Sequence, residues 1–202
     1  MPAHFDETST RVNGTNLWAH VAATSEYTHL SICDKRDEAG MREAGILPRF
    51  KGIAVTDCWS PYWKFAPIVH ALCCAHLLRE LKGFMENYEN QSWANAFKEL
   101  LLEMKAAKER LVVSGETEAG YCYKHKFSTE YDRIIQLGHS KNPEPTPPPG
   151  KKKGRKKEGK VLALIVRLEK HKADVCRFFD VFSVSFDILV SENIYQTHAT
   201  CL

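Results

Sequence analysis

The chain has 202 residues, of which 44% are hydrophobic, and its formal net charge is +3. This length and apolar content suit one good core with a smaller appendage. No apolar run is long enough to span a membrane, no signal-peptide pattern follows Met1, and the seven cysteines have no regular spacing. We therefore expect a cytoplasmic protein without a membrane span or a disulfide framework.

The first 35 residues alternate between apolar and polar side chains and predict three strands. Asn13-Gly14 predicts a tight turn after the first strand. The second and third strands are predicted over residues 17–22 and 27–33. This order predicts an antiparallel meander, with Asp6 on or just after its first strand.

A short helix and a buried strand come next. Residues 37–44 predict a helix that ends at Gly45, since glycine readily adopts the left-handed conformation that ends helices. Residues 52–56 form a brief apolar run, which is typical of a strand buried on both faces of a sheet. Asp57 follows this strand, at the edge where open α/β sheets bind ligands. We expect the strand to join the meander in one mixed sheet.

The second half of the chain is predicted to be mostly helical. An apolar run at 70–74 precedes a helix at 75–84, and three- and four-residue apolar spacings predict helix over 93–137. A proline cluster and a basic run interrupt this pattern over 139–160 and predict an exposed, flexible loop. Helix is predicted again over 161–182.

Three acids stand in local contexts that set them apart from the other acids, which number 25 in all. Asp6, Asp57 and Glu192 each end an apolar stretch or begin a predicted helix. Three carboxylates that converge from distant parts of a chain can hold two divalent cations about 4 Å apart for in-line attack on a phosphodiester. The contexts therefore predict a two-metal phosphoryl-transfer site.

These acids belong to segments that occur in a characteristic order. The segments are His4-x-Asp6-Glu7-Thr8, Phe50-Lys51-Gly52, Asp57-Cys58-Trp59-x-Pro61-Tyr62, His70 to Leu81, Gly154-Arg155-Lys156, Val175-x-Arg177-Phe178 and Phe186-Asp187. In them the chain resembles the DDE-type transposases of bacterial insertion-sequence family sixty-six. The resemblance covers nearly the whole chain, and the block from Cys73 to Leu81 is its most specific part.

The resemblance implies an α/β protein with a ribonuclease H-like mixed sheet and a mostly helical insertion before the last catalytic acid. It implies that Asp6, Asp57 and Glu192 are the catalytic acids and hold two Mg²⁺ or Mn²⁺ ions. The implied organisation is a first part of the core at 1–92, the helical insertion at 93–138, a Pro/Lys-rich loop at 139–160 and C-terminal helices that complete the core at 161–202.

The implied activity is DNA cleavage and strand transfer in the transposition of an insertion sequence. The implied partners are transposon ends and target DNA, with a possible homo-oligomer in a nucleoid-associated transpososome. The basic run within 151–160 can neutralise DNA phosphates without reading sequence. An equally supported alternative is a solvated loop that keeps the protein soluble. The candidate DNA-binding residues are Lys151, Lys152, Lys153, Arg155, Lys156 and Lys157.

The sequence departs from the family pattern around the third acid. Ile188 and Leu189 replace two asparagines, and the aspartate and arginine that follow the glutamate in the family are absent after Glu192. Reading back-translated codons after about Asn193 in another frame restores a family-like continuation, which indicates a frame shift. The family's N-terminal helical and zinc-binding region does not precede Met1, so we expect a catalytic domain truncated at both ends.

Two other functions stay open beside strand transfer. The first is a catalytically inactive transposase remnant that acts only as a non-specific DNA-binding or interaction module. The second, more distant, is a ribonuclease H-like nuclease outside transposition. Both alternatives keep the implied fold. In the remnant the acids no longer catalyse a reaction, whereas in the nuclease they do.

Two groups of side chains have both a functional and a packing interpretation. Cys58, Cys73, Cys74 and His76 are zinc-ligand types, but cysteine is often buried as a small hydrophobe, and packing is the preferred interpretation. Trp59, Tyr62 and Trp63 follow the second acid and suit stacking on a splayed base, although such aromatics more often pack. His76, Arg79 and Glu80 begin a helix where they can meet a phosphate or a metal-bound water, while Arg79 and Glu80 suit surface ion pairs equally well.

Overall fold

The structure is a computed structural model that describes residues 1–143 and 159–187. The chain divides into two compact units. Met1–His76 and the segment that begins at Ser183 form the first, which we call the sheet unit. Leu77–Phe182 form the second, which we call the helical unit.

Five strands form one mixed sheet in the described part of the sheet unit. They are β1 (Pro2–Val12), β2 (Thr15–Ala23), β3 (Thr28–Cys33), β4 (Ile53–Thr56) and β5 (Val69–Leu72). Their order across the sheet is β3-β2-β1-β4-β5. The pairs β1–β2 and β2–β3 are antiparallel, whereas β4 runs parallel to β1 and β5. The predicted meander and the predicted mixed sheet are both confirmed.

The turn between β1 and β2 sets their register. Asn13 and Gly14 have φ values of 49° and 83°. Type I′ hairpin turns need positive φ at both central residues, and asparagine and glycine adopt this conformation most readily. The register that follows places Asp6 within β1, opposite Val21 of β2.

Side chains alternate along the strands, so the sheet has two distinct faces. One face carries a buried apolar cluster, formed by Ala3, Phe5, Met41, Leu47, Ala54, Tyr62 and Phe65. We call it the core face. His4 and Asp6 alternate with Ala3 and Phe5 and therefore point to the opposite side, which Val55 shares because it is level with His4. We call this side the acid face.

Helix α1 (Glu38–Ala44) contributes Met41 to the cluster on the core face. The Asp37 carboxylate accepts the Ala39 N–H at 3.0 Å, which satisfies a donor that no helical carbonyl can reach. Gly45 ends the helix with a φ of 79°. The predicted helix and its stop are confirmed.

Five more α-helices follow β5 in the described part of the chain. They are α2 (Cys74–Asn87), α3 (Ser92–Val113), α4 (Tyr121–Lys141), α5 (Lys160–Lys170) and α6 (Lys172–Asp180). Trp93, Phe97 and Tyr131 are fully buried in the helical unit, with the rings of Phe97 and Tyr131 edge to face at 4.9 Å. The prediction that residues 93–137 are mostly helical is confirmed by α3 and most of α4, which residues 114–120 connect.

No helix within residues 1–143 and 159–187 is long and apolar enough to cross a membrane.

The helical unit differs from prediction in two places. Residues 161–182, predicted as one helix, form α5 and α6. The backbone leaves helical geometry at His171, and the His171 carbonyl accepts the first N–H bonds of α6. Residues 139–141, predicted as loop, complete α4. The helix lasts until Asn142, where the following proline disfavours helical backbone. The rest of the predicted loop, from 144 to 158, lies outside the described residues.

Replacing Tyr131 with phenylalanine should destabilise the helical unit. The Tyr131 hydroxyl donates to the Leu168 carbonyl at 2.8 Å, and both residues are fully buried. This carbonyl lies in the last turn of α5, where carbonyl groups have no N–H partner within the helix. Leaving it unpaired should lower the free energy of unfolding by about 1–3 kcal/mol. Urea unfolding measures the change. Tyr123→Phe, on the exposed side of the same helix, is the control and should stay within about 0.5 kcal/mol of the native chain.

Candidate active site

Asp6 and Asp57 lie on neighbouring parallel strands. The β1–β4 register pairs His4 with Val55, and its continuation brings Asp6 level with Asp57, directly after β4. Level residues of paired strands share a face, so both carboxylates belong to the acid face. The structure thus brings together two of the three acids selected from the sequence.

The surroundings of Asp6 disfavour the charged form of its carboxyl. Burial is the main cause that raises the pKa of this carboxyl, and the charge of Asp57 raises it further. The charge of His76, the Glu7 N–H bond and the charge of Arg36 act in the opposite direction. Two partly buried acids that repel each other suit a bound cation. A positive charge between them offsets both their repulsion and the unfavourable burial of their charges.

Each of these carboxylates is held by the backbone through one oxygen. Asp6 Oδ1 accepts the Glu7 N–H at 3.0 Å, and Asp57 Oδ1 accepts the Trp59 N–H at 3.0 Å. Within the described residues neither carboxylate makes another hydrogen bond. The Oδ2 atoms are therefore available to a ligand, while the Oδ1 bonds limit side-chain rotation.

A buried glutamate lies next to Asp6 on the core face. The Glu7 side chain is only 2% exposed, its Oε1 accepts a short hydrogen bond from the Tyr62 hydroxyl, and its Oε2 lies 3.5 Å from Arg36 Nε. Burial is the main cause that raises the pKa of Glu7 to about 7; the Tyr62 bond and Arg36 lower it, and the charges of Asp57 and Asp6 raise it. The bond to Tyr62 ties β1 at Asp6 to the short 3₁₀ helix at Ser60–Lys64, just beyond Asp57.

Arg36 connects this glutamate to two aromatic side chains. Its guanidinium carbon lies 4.1 Å from the centre of the Trp59 ring and 5.2 Å from the centre of the Trp18 ring. Contacts of this kind gain from the negative face of the aromatic ring. Arg36 thus fastens β2 and the turn after Asp57 to the same buried carboxylate, which restrains the spacing of the two acids.

The segment 183–187 is fastened to the acid face. Ser185 Oγ lies 3.0 Å from His4 Nε2 and donates to the Asp187 carbonyl at 2.8 Å, so the ring nitrogen is the donor to Ser185. Burial lowers the pKa of His4, and the charge of Asp187 opposes that shift. The Cys74 N–H donates to the Phe186 carbonyl at 2.9 Å. The chain that leads to Glu192 is therefore held between β1 and the start of α2.

The remaining site residues predicted from the sequence are not placed. Glu192 lies outside the described residues, as do Ile188 and Leu189 and the tail predicted to be frame-shifted. The same holds for the candidate DNA-binding residues Lys151, Lys152, Lys153, Arg155, Lys156 and Lys157. Among residues 1–143 and 159–187, no three histidine, cysteine, aspartate or glutamate side chains form a group that could hold a metal ion.

Several residues that have both a functional and a packing interpretation make contacts that the structure describes. Cys73 and Cys74 are buried, and Tyr62 packs in the core cluster while its hydroxyl binds Glu7. Trp63 lies against the His70 ring with centroids 4.4 Å apart. Glu80 forms an ion pair with Arg167 in the helical unit. For Tyr62 and Glu80 these contacts favour the packing and ion-pair interpretations.

The family model described as Transposase IS66 family matches residues 2–194 of the chain. The chain belongs to the IS66 transposase family. Membership confirms the resemblance predicted from the sequence and covers both Asp6 and Asp57. A search of curated proteins and a search of solved structures each found no match.

Sequence reasoning about this IS66-family chain missed Glu7 and Arg36 as parts of the site. One signal was present, because Ala3, Phe5 and Glu7 alternate along one strand and therefore point to the same face. A carboxylate in such an apolar series must be buried and needs a partner. Its partner Tyr62 is 55 residues away, so periodicity along the chain does not identify it.

Proposed function

We propose that this chain is the catalytic domain of a DDE-type transposase with a ribonuclease H-like fold, which cleaves and joins DNA with two Mg²⁺ or Mn²⁺ ions. The observation that carries the proposal is the placement of Asp6 level with Asp57 on neighbouring parallel strands. Membership of the IS66 transposase family supports the reaction class. In this proposal the sheet unit carries the acids, and the helical unit, Leu77–Phe182, includes the insertion at 93–138.

The described residues suit part of such a metal site. Asp6 and Asp57 offer carboxylate oxygens, which hard divalent cations prefer. Burial is the main cause that raises the pKa of Asp6 and the charge of Asp57 adds to it, so a cation between the two carboxylates is favoured. We assign the third ligand to Glu192. The His4–Ser185 hydrogen bond supports this assignment, because it holds the preceding segment on the acid face.

Two bound ions would activate water or a 3′-hydroxyl for attack on a phosphodiester and stabilise the leaving oxygen. Asp6 and Asp57 would fix the position of the ions, because strand pairing and their Oδ1 bonds restrain both side chains. Glu7, Tyr62 and Arg36 would act through these acids by holding β1 and the turn after β4 together.

DNA is the proposed substrate, in the form of transposon ends and target. We assign phosphate contacts to Lys151, Lys152, Lys153, Arg155, Lys156 and Lys157, whose charges would give affinity that falls steeply with salt. Assembly of several copies on the two transposon ends, in the bacterial nucleoid, belongs to the same proposal.

A specific sequence observation favours the second candidate, an inactive transposase remnant. Ile188 and Leu189 stand where the resembled family has asparagines, next to the proposed third ligand. Apolar side chains there offer neither ligands nor hydrogen bonds to a metal-bound water. A chain of this kind would keep the fold and the DNA affinity without the reaction.

The metal proposal predicts a specific loss on Asp57→Asn. Removing one carboxylate charge from the acid pair should weaken Mn²⁺ binding about tenfold or more, which corresponds to about 1.4 kcal/mol. Isothermal titration calorimetry of the 202-residue chain with Mn²⁺ measures the change in affinity. Asp34→Asn removes an equal charge from an exposed position of the same unit and should leave affinity within about twofold.

Nicking of supercoiled DNA distinguishes the two candidates. Nicking that depends on Mn²⁺ and is lost in Asp57→Asn would support the catalytic domain. Salt-sensitive DNA binding without nicking would support the remnant. Equal Mn²⁺ affinity in the native chain and Asp57→Asn would contradict the metal site itself.

A further inference from the structure

Two consecutive backbone N–H groups, just before and at the start of α2, hold distant segments of the sheet unit side by side. The Cys73 N–H donates to the Thr56 carbonyl at 2.8 Å, and the Cys74 N–H donates to the Phe186 carbonyl at 2.9 Å. Consecutive residues have Cα atoms about 3.8 Å apart. The end of β4 and the segment 183–187 are therefore neighbours at this point.

An acid comes directly after each of these two bonded carbonyls. Asp57 follows Thr56 and belongs to the acid pair, whereas Asp187 follows Phe186 in the segment that is fastened to the acid face. The Ser185 hydroxyl donates to the Asp187 carbonyl at 2.8 Å, which gives the backbone of Asp187 a second anchor. The structure thus places a further carboxylate near the acid pair.

His4 connects Asp187 with the strand that carries Asp6. It precedes Asp6 by two residues on the acid face, its Nε2 lies 3.0 Å from Ser185 Oγ, and Asp187 is close enough for its charge to oppose the burial that lowers the pKa of His4. With Nε2 as the donor, Nδ1 of the neutral ring is an acceptor, and this buried atom has no hydrogen-bond partner among the described residues. Water carried by a hydrated divalent cation would supply such a donor.

We propose that Asp187 is a further acid of the metal site, whose negative charge strengthens cation binding by Asp6 and Asp57 without direct ligation. This inference rests on the metal site of the proposed function. Direct ligation is left out because Asp187 joins no group of three metal-binding side chains within residues 1–143 and 159–187. A carboxylate attracts a nearby cation more strongly in partly buried surroundings, where solvent screens charges less than at the surface. Ser185 is then a positioning residue, because it holds the backbone of Asp187.

Isothermal titration calorimetry with Mn²⁺ tests the role of this charge. Asp187→Asn removes the charge but keeps the backbone carbonyl that Ser185 binds, so we expect the affinity to fall about fivefold. Asp187→Glu keeps the charge and should stay within about twofold of the native chain. Asp34→Asn, at an exposed position of the same unit, should also stay within about twofold. Native affinity in Asp187→Asn would overturn the inference.

A double-mutant cycle tests whether Ser185 acts through Asp187. Ser185→Ala should weaken Mn²⁺ binding about threefold, because Asp187 loses one of its two backbone anchors, and Ser185→Thr should restore binding because it keeps the hydroxyl. In the Asp187→Asn background, Ser185→Ala should have no further effect. Equal losses in both backgrounds would contradict the positioning role, since they would mean that Ser185 acts independently of the Asp187 charge.

Asp57→Asn separates this inference from the proposed function. Weak Mn²⁺ binding by Asp57→Asn, together with native affinity in Asp187→Asn, would overturn the role of Asp187 and leave the metal site standing. A native chain that does not bind Mn²⁺ would overturn both.

Discussion

Gly40→Ala is expected to cost about 3 kcal/mol or more of the free energy of unfolding and to detach helix α1 from the core face. A Cβ atom on Gly40 would lie 1.8 Å from the Lys35 carbonyl oxygen and 2.8 Å from His20 Nε2. These two atoms are themselves 2.9 Å apart and bonded, so neither can retreat without breaking a partly buried hydrogen bond. Overpacking against backbone is among the most damaging single changes.

Gly83→Ala is a matched control for this change. Gly83 also lies inside a helix, but nothing stands within 4 Å of its added Cβ. Alanine should stabilise α2 by about 0.5–1 kcal/mol, because it loses less backbone entropy on folding. Urea unfolding of both variants gives the comparison. A Gly40→Ala chain as stable as the native one would show that α1 can move away from the Lys35 turn.

The second large effect concerns the pH dependence of stability. Glu7→Gln should become more stable relative to the native chain as the pH rises, by up to about 3 kcal/mol. In the native chain the pKa of Glu7 rises from 4.5 to about 7, chiefly through burial. The folded state therefore holds a proton that the unfolded state releases, so this stability is complete below pH 4.5 and is lost as the pH rises through about 7. Glutamine has no proton to lose and can still accept the Tyr62 hydroxyl bond.

Urea unfolding at about pH 4.5 and about pH 8, with a chelator present, measures this difference. Glu116→Gln, at an exposed position, is the control and should track the native chain at both pH values. Parallel pH profiles for Glu7→Gln and the native chain would mean that Glu7 is already ionised when buried. Arg36 and Tyr62 would then stabilise the charged form more than burial opposes it.

The elements that sequence predicted well are those whose signals are local. The Asn13-Gly14 turn, the capping of α1 by Asp37 and Gly45, and the apolar run of β4 each depend on neighbouring residues. The level placement of Asp6 and Asp57 follows once β1 and β4 pair in parallel. Local chemistry therefore determined the strands and two of the three proposed acids.

The contacts that sequence did not predict link distant residues. Glu7 meets Tyr62 and Arg36, and His4 meets Ser185, across separations that no helix or strand period spans. The break at His171 was missed for a related reason. An apolar pattern that continues on both sides, with Leu168 and Val175 both buried, does not reveal the break in the helix between them.

The bond between the Cys74 N–H and the Phe186 carbonyl has an evolutionary consequence. The chain leaves the sheet unit just after Cys74 and returns to it just before Phe186, so exit and return are neighbours. Whatever connects them needs to span only a few ångströms. Selection can therefore lengthen, shorten or exchange the intervening 106-residue module, Leu77–Phe182, without altering the order of the strands or the spacing of the acids.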